Sequence, residues 1–141
     1  MLVREASVGD AGAVAALLGQ LGYPSGAGVV AARLERLAAS PADVLWVAED
    51  DGKVVGLAGI HVSASLEHDR DVAKLSELVV DQRLRRRGVG AALVGAAERE
   101  ARRRGCGVLF LTTAERRADA RAFYRRLGFE ETGRRFAKTL D

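Results

Sequence analysis

Val80-Asp81-Gln82-Arg83-Leu84-Arg85-Arg86-Arg87-Gly88-Val89-Gly90-Ala91 joins a strand-like run to an amphipathic one, and the fold is read outward from it. On its N-terminal side Val72 to Val80 has the composition of a strand. On its C-terminal side Val89, Ala92, Leu93, Ala96, Ala97 and Ala101 form one apolar stripe at helical spacing, with Glu98, Arg99, Arg102 and Arg103 facing away. A turn that opens a helix directly after a strand leaves the first helical N–H groups without internal acceptors and aims them out of the sheet, where they attract an anion. Gly88 and Gly90 have no Cβ to hold a phosphate off the backbone, and Arg85, Arg86 and Arg87 add three guanidinium groups. The turn suits a pyrophosphate. Gly88-x-Gly90 also begins a dinucleotide fingerprint, but the third glycine position holds Leu93, and the chain has no Gly-x-x-x-x-Gly-Lys-Ser/Thr run. Readings as an NAD or ATP site weaken accordingly. The competing reading is that the two glycines allow a helix to pack tightly on a sheet beside solvated arginines.

Further from the turn, Gly105 stops the long helix at a C-cap position, and the 88–104 segment becomes a crossover between two strands that should lie parallel, Val72 to Val80 and Val108 to Thr112. Ala118 to Leu127 is helical, and Gly128-Phe129 leads to a last β segment near Arg134 to Thr139. Toward the N-terminus, Leu2 to Glu5 is a short strand, and Ser7 with Asp10 three residues on marks a helix start. Val14, Leu17, Leu18 and Leu21 follow at helical spacing. Gly22 to Gly26 ends that helix before a second from about Val29 to Ala39. Val44 to Glu49 and Lys53 to Val62 flank Asp50-Asp51-Gly52 as an antiparallel hairpin, with Trp46 in its core. Ser63 to Asp71 has neither periodicity and reads as an exposed connection. The expected architecture is α/β: one mixed twisted sheet of six to seven strands flanked by about four helices, within a single domain over residues 1–141.

Composition limits the function classes. The 141 residues are 48% hydrophobic and 29% charged, which suits a globular chain and argues against disorder or a membrane span. Cys106 has no partner for an internal disulfide, and the charged opening Met-Leu-Val-Arg-Glu does not resemble a signal peptide, so the expected compartment is the cytoplasm. His61, His68 and Cys106 match no zinc or redox spacing, and no metal is expected. The net charge of +3 is local in origin, because residues 81–104 hold eight arginines against Asp81, Glu98 and Glu100. Such a concentrated excess suits one small anion better than the long phosphate track of a nucleic acid.

These residues resemble the GCN5-related N-acetyltransferases, whose central signature is Gln or Arg, two residues, Gly, one residue, then Gly or Ala. Arg85-x-x-Gly88-x-Gly90 matches it, preceded by Glu77-Leu78-Val79-Val80 and followed by Ala120-x-x-Phe123-Tyr124-x-x-x-Gly128-Phe129. The match spans nearly the whole chain, though its motifs lie after residue 72. The resemblance implies that acetyl-CoA, as co-substrate, lies in an opening between two splayed parallel strands. Its pantetheine arm would pair with Leu78, Val79 and Val80, and its pyrophosphate would lie on Arg85, Arg86, Arg87, Gly88, Val89, Gly90 and Ala91. Many relatives carry an asparagine seven residues before the tyrosine; Arg117 stands there, so the contacts of that asparagine are not transferred.

Acetyl transfer to an amine needs a neutral nitrogen, a polarised thioester carbonyl and a proton for the departing thiolate. Tyr124, protonated at neutral pH with an ordinary pKa of about 10, is the general-acid candidate, against the alternative of core packing beside Phe123. Glu77, on a strand between apolar neighbours, is the base candidate, directly or through water, against the alternative of a solvated or ion-paired carboxylate. An amide near Leu78 or Val79, freed by a strand bulge, is the carbonyl-polarising group that the resemblance implies. Cys106 reads as an inert structural thiol. Tyr23, His61 and His68 are candidates for acceptor contact. The expected activity is acetyl-CoA-dependent N-acetyl transfer to a primary amine of a small molecule or protein residue. The alternative on the same fold is a silent CoA-binding sensor or basic interaction module. The sequence does not name the acceptor, and a homodimer is compatible with it.

Overall fold

Asp51 and Gly52 take positive φ angles of 49° and 74°, the primed-turn geometry whose twist matches that of flanking strands. The Asp50–Lys53 pair therefore closes the hairpin between β2 (Asp43–Asp50) and β3 (Lys53–Ser63) where the sequence places it. The computed structural model describes residues 1–85, 87–113 and 118–140. Within them β1 (Leu2–Glu5) pairs with β2, and β3 pairs with β4 (Val72–Val80), all antiparallel; β4 pairs with β5 (Val108–Phe110) in parallel. The sheet runs in sequence order, β1 to β5.

Four helices flank it: α1 (Ala11–Leu21), α2 (Ala27–Ala38), α3 (Val89–Arg103) and α4 (Ala118–Arg126). Strand alternation divides the apolar residues between two layers. Val44, Trp46, Ala58, Ile60 and Leu75 pack under Val89, Leu93 and Val94 of α3, with Phe123, Tyr124 and Phe129 at the margin. Val47, Leu57 and Val79 pack under Val14 and Leu17 of α1 and Val30 and Leu34 of α2. Trp46 is buried, as the hairpin reading expects. At the N-terminal end the Asp10 carboxylate accepts from the Ser7 backbone N–H at 2.8 Å, so the predicted start signal is present, though it heads a single 3-10 turn ahead of α1.

Two expectations need correction. The sheet has five strands among the described residues, not six to seven, because the β segment expected near Arg134 to Thr139 does not form. Residues 130–140 are all exposed, and none of their backbone groups bonds to another described residue; alternating β-formers make a strand only when an edge pairs with them. The second correction is that β5 ends at Phe110 rather than Thr112, since β4 stays beside it for only three pairs: Val72 with Val108, Ala73 with Leu109, and Lys74 with Phe110.

Candidate functional site

Beyond Lys74, β4 continues from Leu75 to Val80 with β3 on one side and no strand on the other among the described residues. This is the opening expected between the two parallel strands, and its free edge is the kind to which an extended amide-bearing ligand adds by backbone hydrogen bonds. Val79 is buried on the α1–α2 side, while Leu78 and Val80 are half-buried on the α3 side.

The edge leads into the turn before α3, which two side chains shape. Buried Asp81 accepts from the backbone N–H of Arg83 at 3.0 Å and from its Nη2 at 3.0 Å, and Arg83 holds that carboxyl below the usual carboxylate range. Gln20 Oε1 of α1 accepts from the backbone N–H of Gln82 at 2.9 Å, fixing the turn to a helix 62 residues earlier. Sequence reasoning missed both residues. Asp81 carried a signal, an aspartate heading a turn whose second residue it can bond; Gln20 carried none.

Gly88 caps α3 at φ 82°, a left-handed conformation that glycine adopts without a Cβ penalty, and a Cβ there would touch nothing within 4 Å. Ala92 is the first residue of α3 to donate inside the helix, to Gly88 O at 3.0 Å. The N–H groups of Val89, Gly90 and Ala91 thus precede the helical ladder, and among the described residues no side chain caps them. Arg87, Gly88 and Ala91 are exposed, and Arg85 Nε donates to Val80 O at 3.4 Å. Arg86 lies outside the described residues. Gly90 serves a different purpose from Gly88, because a Cβ on it would lie 3.0 Å from Phe123 Cζ. The packing alternative therefore applies to Gly90, whose tightest contact is with α4 and whose next is with Val80 Cγ2 of the sheet at 3.7 Å.

Glu77 stands beside a bulge. Gly59 pairs with Glu77 and Ile60 with Leu75, which leaves Ser76 as the extra residue of β4. The bulge was expected near Leu78 or Val79, but those residues keep regular register with Ala58 and Leu57. Downstream of the bulge Glu77 shares a sheet face with Val79, on the α1–α2 side. A Cβ on Gly59 would lie 2.6 Å from Glu77 Oε2 and 2.4 Å from Leu45 Cδ2, so the carboxylate occupies space that only glycine leaves open. Burial, reinforced by the negative charge of Asp43, pushes the Glu77 carboxyl above its ordinary range; the bond from Ser76 Oγ at 2.9 Å and the charge of Lys74 oppose this.

Tyr124 lies on the other face, half-buried at the margin of the α3 layer. Its ring meets Phe123 edge-on at 5.4 Å and Phe129 at 5.8 Å. The structure thus brings the ring into the packing that the alternative reading expected, on the α4 segment that reaches Gly90. Glu77 and Tyr124 flank the sheet from opposite faces, with the β4–β5 opening crossing the layer between them.

The remaining candidates are dispersed. Tyr23 is exposed in the α1–α2 connection. His61 Nδ1 lies 2.9 Å from Asp43 Oδ1, and Ser40 Oγ donates to the other oxygen of that carboxylate at 2.6 Å. His68 meets Ser65 in the loop before β4. Burial pushes the Cys106 thiol up, which disfavours the reactive thiolate. Arg117 lies outside the described residues. Two hollows open to solvent lie elsewhere, one of about 280 Å³ bordered by Val3, Trp46 and Arg99 and one of about 150 Å³ between α2 and β2. Neither borders the turn, and the candidate site is built on the open edge of β4. No helix among the described residues is long and apolar enough to cross a membrane.

Comparison with known proteins places this geometry among relatives. Residues 20–129 match the model of the acetyltransferase (GNAT) family. An aminoalkylphosphonate N-acetyltransferase of Salmonella typhimurium is 32% identical over 90 residues, covering 64% of this chain and 58% of the relative. The chain thus matches little more than half the length of that relative. A crystal structure of a transcriptional regulator from Bacillus halodurans superposes with a TM-score of 0.89 at 25% identity, covering 99% of both chains. An aminoglycoside N-acetyltransferase in complex with CoA shares the fold, with a TM-score of 0.86 at 22% identity over 99% of this chain and 93% of its own.

Proposed function

The chain belongs to the acetyltransferase (GNAT) family, and on that premise we propose that it transfers the acetyl group of acetyl-CoA directly to a primary amine of a small molecule or of a protein residue. The observation that carries this reading is the continuity of the open β4 edge with the uncapped N-terminus of α3. An acyl-CoA has amides along its arm and a diphosphate beyond them, in the order in which edge and helix end follow each other. The fold shared with a CoA-bound neighbour supports the same ligand.

In this reading the amides of Leu78 to Val80 hold the arm. The N–H groups of Gly88 to Ala91, with Arg85, Arg86 and Arg87, hold the diphosphate. Arg85 must then exchange its bond to Val80 O for the ligand. The thioester comes to rest near the Ser76 bulge, where an amide outside the ladder polarises its carbonyl. Glu77, made more basic by burial, takes a proton from the acceptor ammonium. The freed amine attacks the carbonyl carbon, the C–N bond forms, the C–S bond breaks, and the Tyr124 phenol gives its proton to the departing sulfur. The name of the Salmonella relative puts small amines that also bear an acidic group first among acceptors to screen.

The test is ligand binding followed by turnover. Acetyl-CoA at about 100 times its dissociation constant should stabilise the fold by roughly 2.7 kcal/mol, and duplex DNA should do far less. A thiol-release assay against aminoalkylphosphonates, amino acids, polyamines, aminoglycosides and peptide N-termini then identifies the acceptor class. No stabilisation by acetyl-CoA overturns the reading. Stabilisation without thiol release from any amine makes the chain a silent CoA-binding module instead.

A further inference from the structure

Successive rows of side chains cross the sheet on its α1–α2 face. Val47, Leu57 and Val79 stand side by side in one row and are buried under the two helices. Leu45, Gly59 and Glu77 make the next. Beyond it come Asp43, His61, Lys74 and Phe110, one from each of β2, β3, β4 and β5. His61, Lys74 and Phe110 are exposed, so the helical cover gives out past the row of Glu77, and Glu77 stands on its border. In the open row the carboxylate of Asp43 is engaged on both oxygens, by Ser40 Oγ at 2.6 Å and by His61 Nδ1 at 2.9 Å. Glu77 takes its own bond from Ser76 Oγ. Lys74, lying between the rings of His61 and Phe110, has no ion pair or hydrogen-bonded side-chain partner among the described residues. It also belongs to the last pair before β4 and β5 part, which puts this cation at the apex of the opening and Glu77 on the free edge beyond.

We propose that Lys74 is the specificity-determining contact for the acceptor, binding the acid group (carboxylate, sulfonate or phosphonate) of a short primary amine whose nitrogen lies at Glu77. Glu77 is the base only in the acetyl-transfer reading, on which this proposal therefore rests. At about 3.3 Å per residue, with the path shortened by the bulge, Lys74 and Glu77 stand about 7–10 Å apart on one face. An ammonium on Glu77 and an anion on Lys74, each held at about 2.8 Å, fill that interval when about two to four bonds separate them. The exposed Phe110 ring gives the intervening methylenes an apolar flank. An ammonium is a compact charge with three rotatable donors, so Lys74 accepts any of these acid groups. A plain amine leaves it without a counter-charge, and a diamine sets a second cation against it.

Binding is read first, so that the outcome does not wait on turnover. Calorimetry compares β-alanine, taurine and aminoethylphosphonate with propylamine and diaminopropane, on the chain alone and on the chain saturated with CoA. At least one acid-bearing amine should bind about 10- to 100-fold more tightly than propylamine; Lys74→Gln should remove that advantage and Lys74→Arg should keep most of it. In thiol release, the ratio of kcat/KM for that amine to kcat/KM for propylamine should fall by the same factor in Lys74→Gln, chiefly through KM. Any change in the basicity of Glu77 on losing the neighbouring charge acts on every amine and cancels in the ratio. Wild-type chain that binds acid-bearing and plain amines equally, or binds neither, overturns the proposal, and so does a preference that Lys74→Gln leaves unaltered. Stabilisation by acetyl-CoA is measured on the same samples: where it persists through those outcomes, only the role of Lys74 falls, and where it is absent, the acetyl-transfer reading falls with it.

Discussion

The Phe123 ring of α4 rests on Gly90 of α3 so closely that a single added methyl would stand 3.0 Å from its Cζ. Two helices that approach the β4–β5 opening from different parts of the chain are thus registered against each other at one contact. The residue after Phe123 is Tyr124, so the contact also sets where that ring lies.

Gly90→Ala should therefore act as overpacking, since Phe123 must give way by some tenths of an ångström. The expected cost is about 1–3 kcal/mol in urea unfolding, in the range of other small-to-large core changes. Phe123→Leu in the same chain should recover part of that loss, and strict additivity of the two changes would show that the contact is not coupled.

Tyr124→Phe keeps the ring and its edge contacts with Phe123 and Phe129. The acetyl-CoA dissociation constant should be unchanged. Turnover should fall by about 10²- to 10⁴-fold, the usual contribution of a positioned proton donor. Steady-state kinetics beside a binding isotherm separates the two effects, and an undiminished kcat removes the phenol from the chemistry.

Glu77 has a pKa raised above its ordinary value, chiefly by burial. A carboxyl of this kind favours the folded state while protonated, and that contribution is lost as pH rises through the raised value. Glu77→Gln should thus be at least as stable as wild type at neutral pH and lose its advantage in acid. In kinetics the same shift moves the acid limb of kcat/KM above the ordinary carboxylate range. The Gln variant should lack that limb and turn over slowly at every pH.

Glu100 shifts the other way. Bonds from Arg103 and from Arg104 Nε at 2.7 Å lower its carboxyl from 4.5 to about 2. Its stabilisation is present above the ordinary value and is lost as pH falls toward 2. Because the Arg103 side chain is largely solvated and Arg104 only half-buried, the gain should be only about 1 kcal/mol or less. Glu100→Gln should show that small deficit at pH 7 in chemical unfolding, and the two curves should converge in acid.

Much of the frame was legible because it rests on local periodicity. The apolar stripe from Val89 to Ala101 needs only the helical period, and Asp50-Asp51-Gly52 needs only turn chemistry. The strand–turn–helix junction at 80–90 followed from both. Contacts between distant parts of the chain were not legible. Nothing near Gly90 in sequence says that Phe123 will meet it, and nothing near Gln82 points to Gln20. The segment from Arg134 to Thr139 has the pattern of a strand, but pattern alone does not supply an edge. Glu77 was legible as a residue and not as an environment, since its burial depends on Gly59 across the ladder.

Ser76 is a surplus residue, and the parity of β4 turns on it. Ironing the strand flat with Ser76 retained would invert every position after it, turning a carboxylate into the oil beneath α3 and Val79 out of the layer under α1. Deleting Ser76 instead would restore a plain ladder with each later side chain on its present face. The architecture can therefore lose this residue, whereas the irregularity beside Glu77 cannot outlive it.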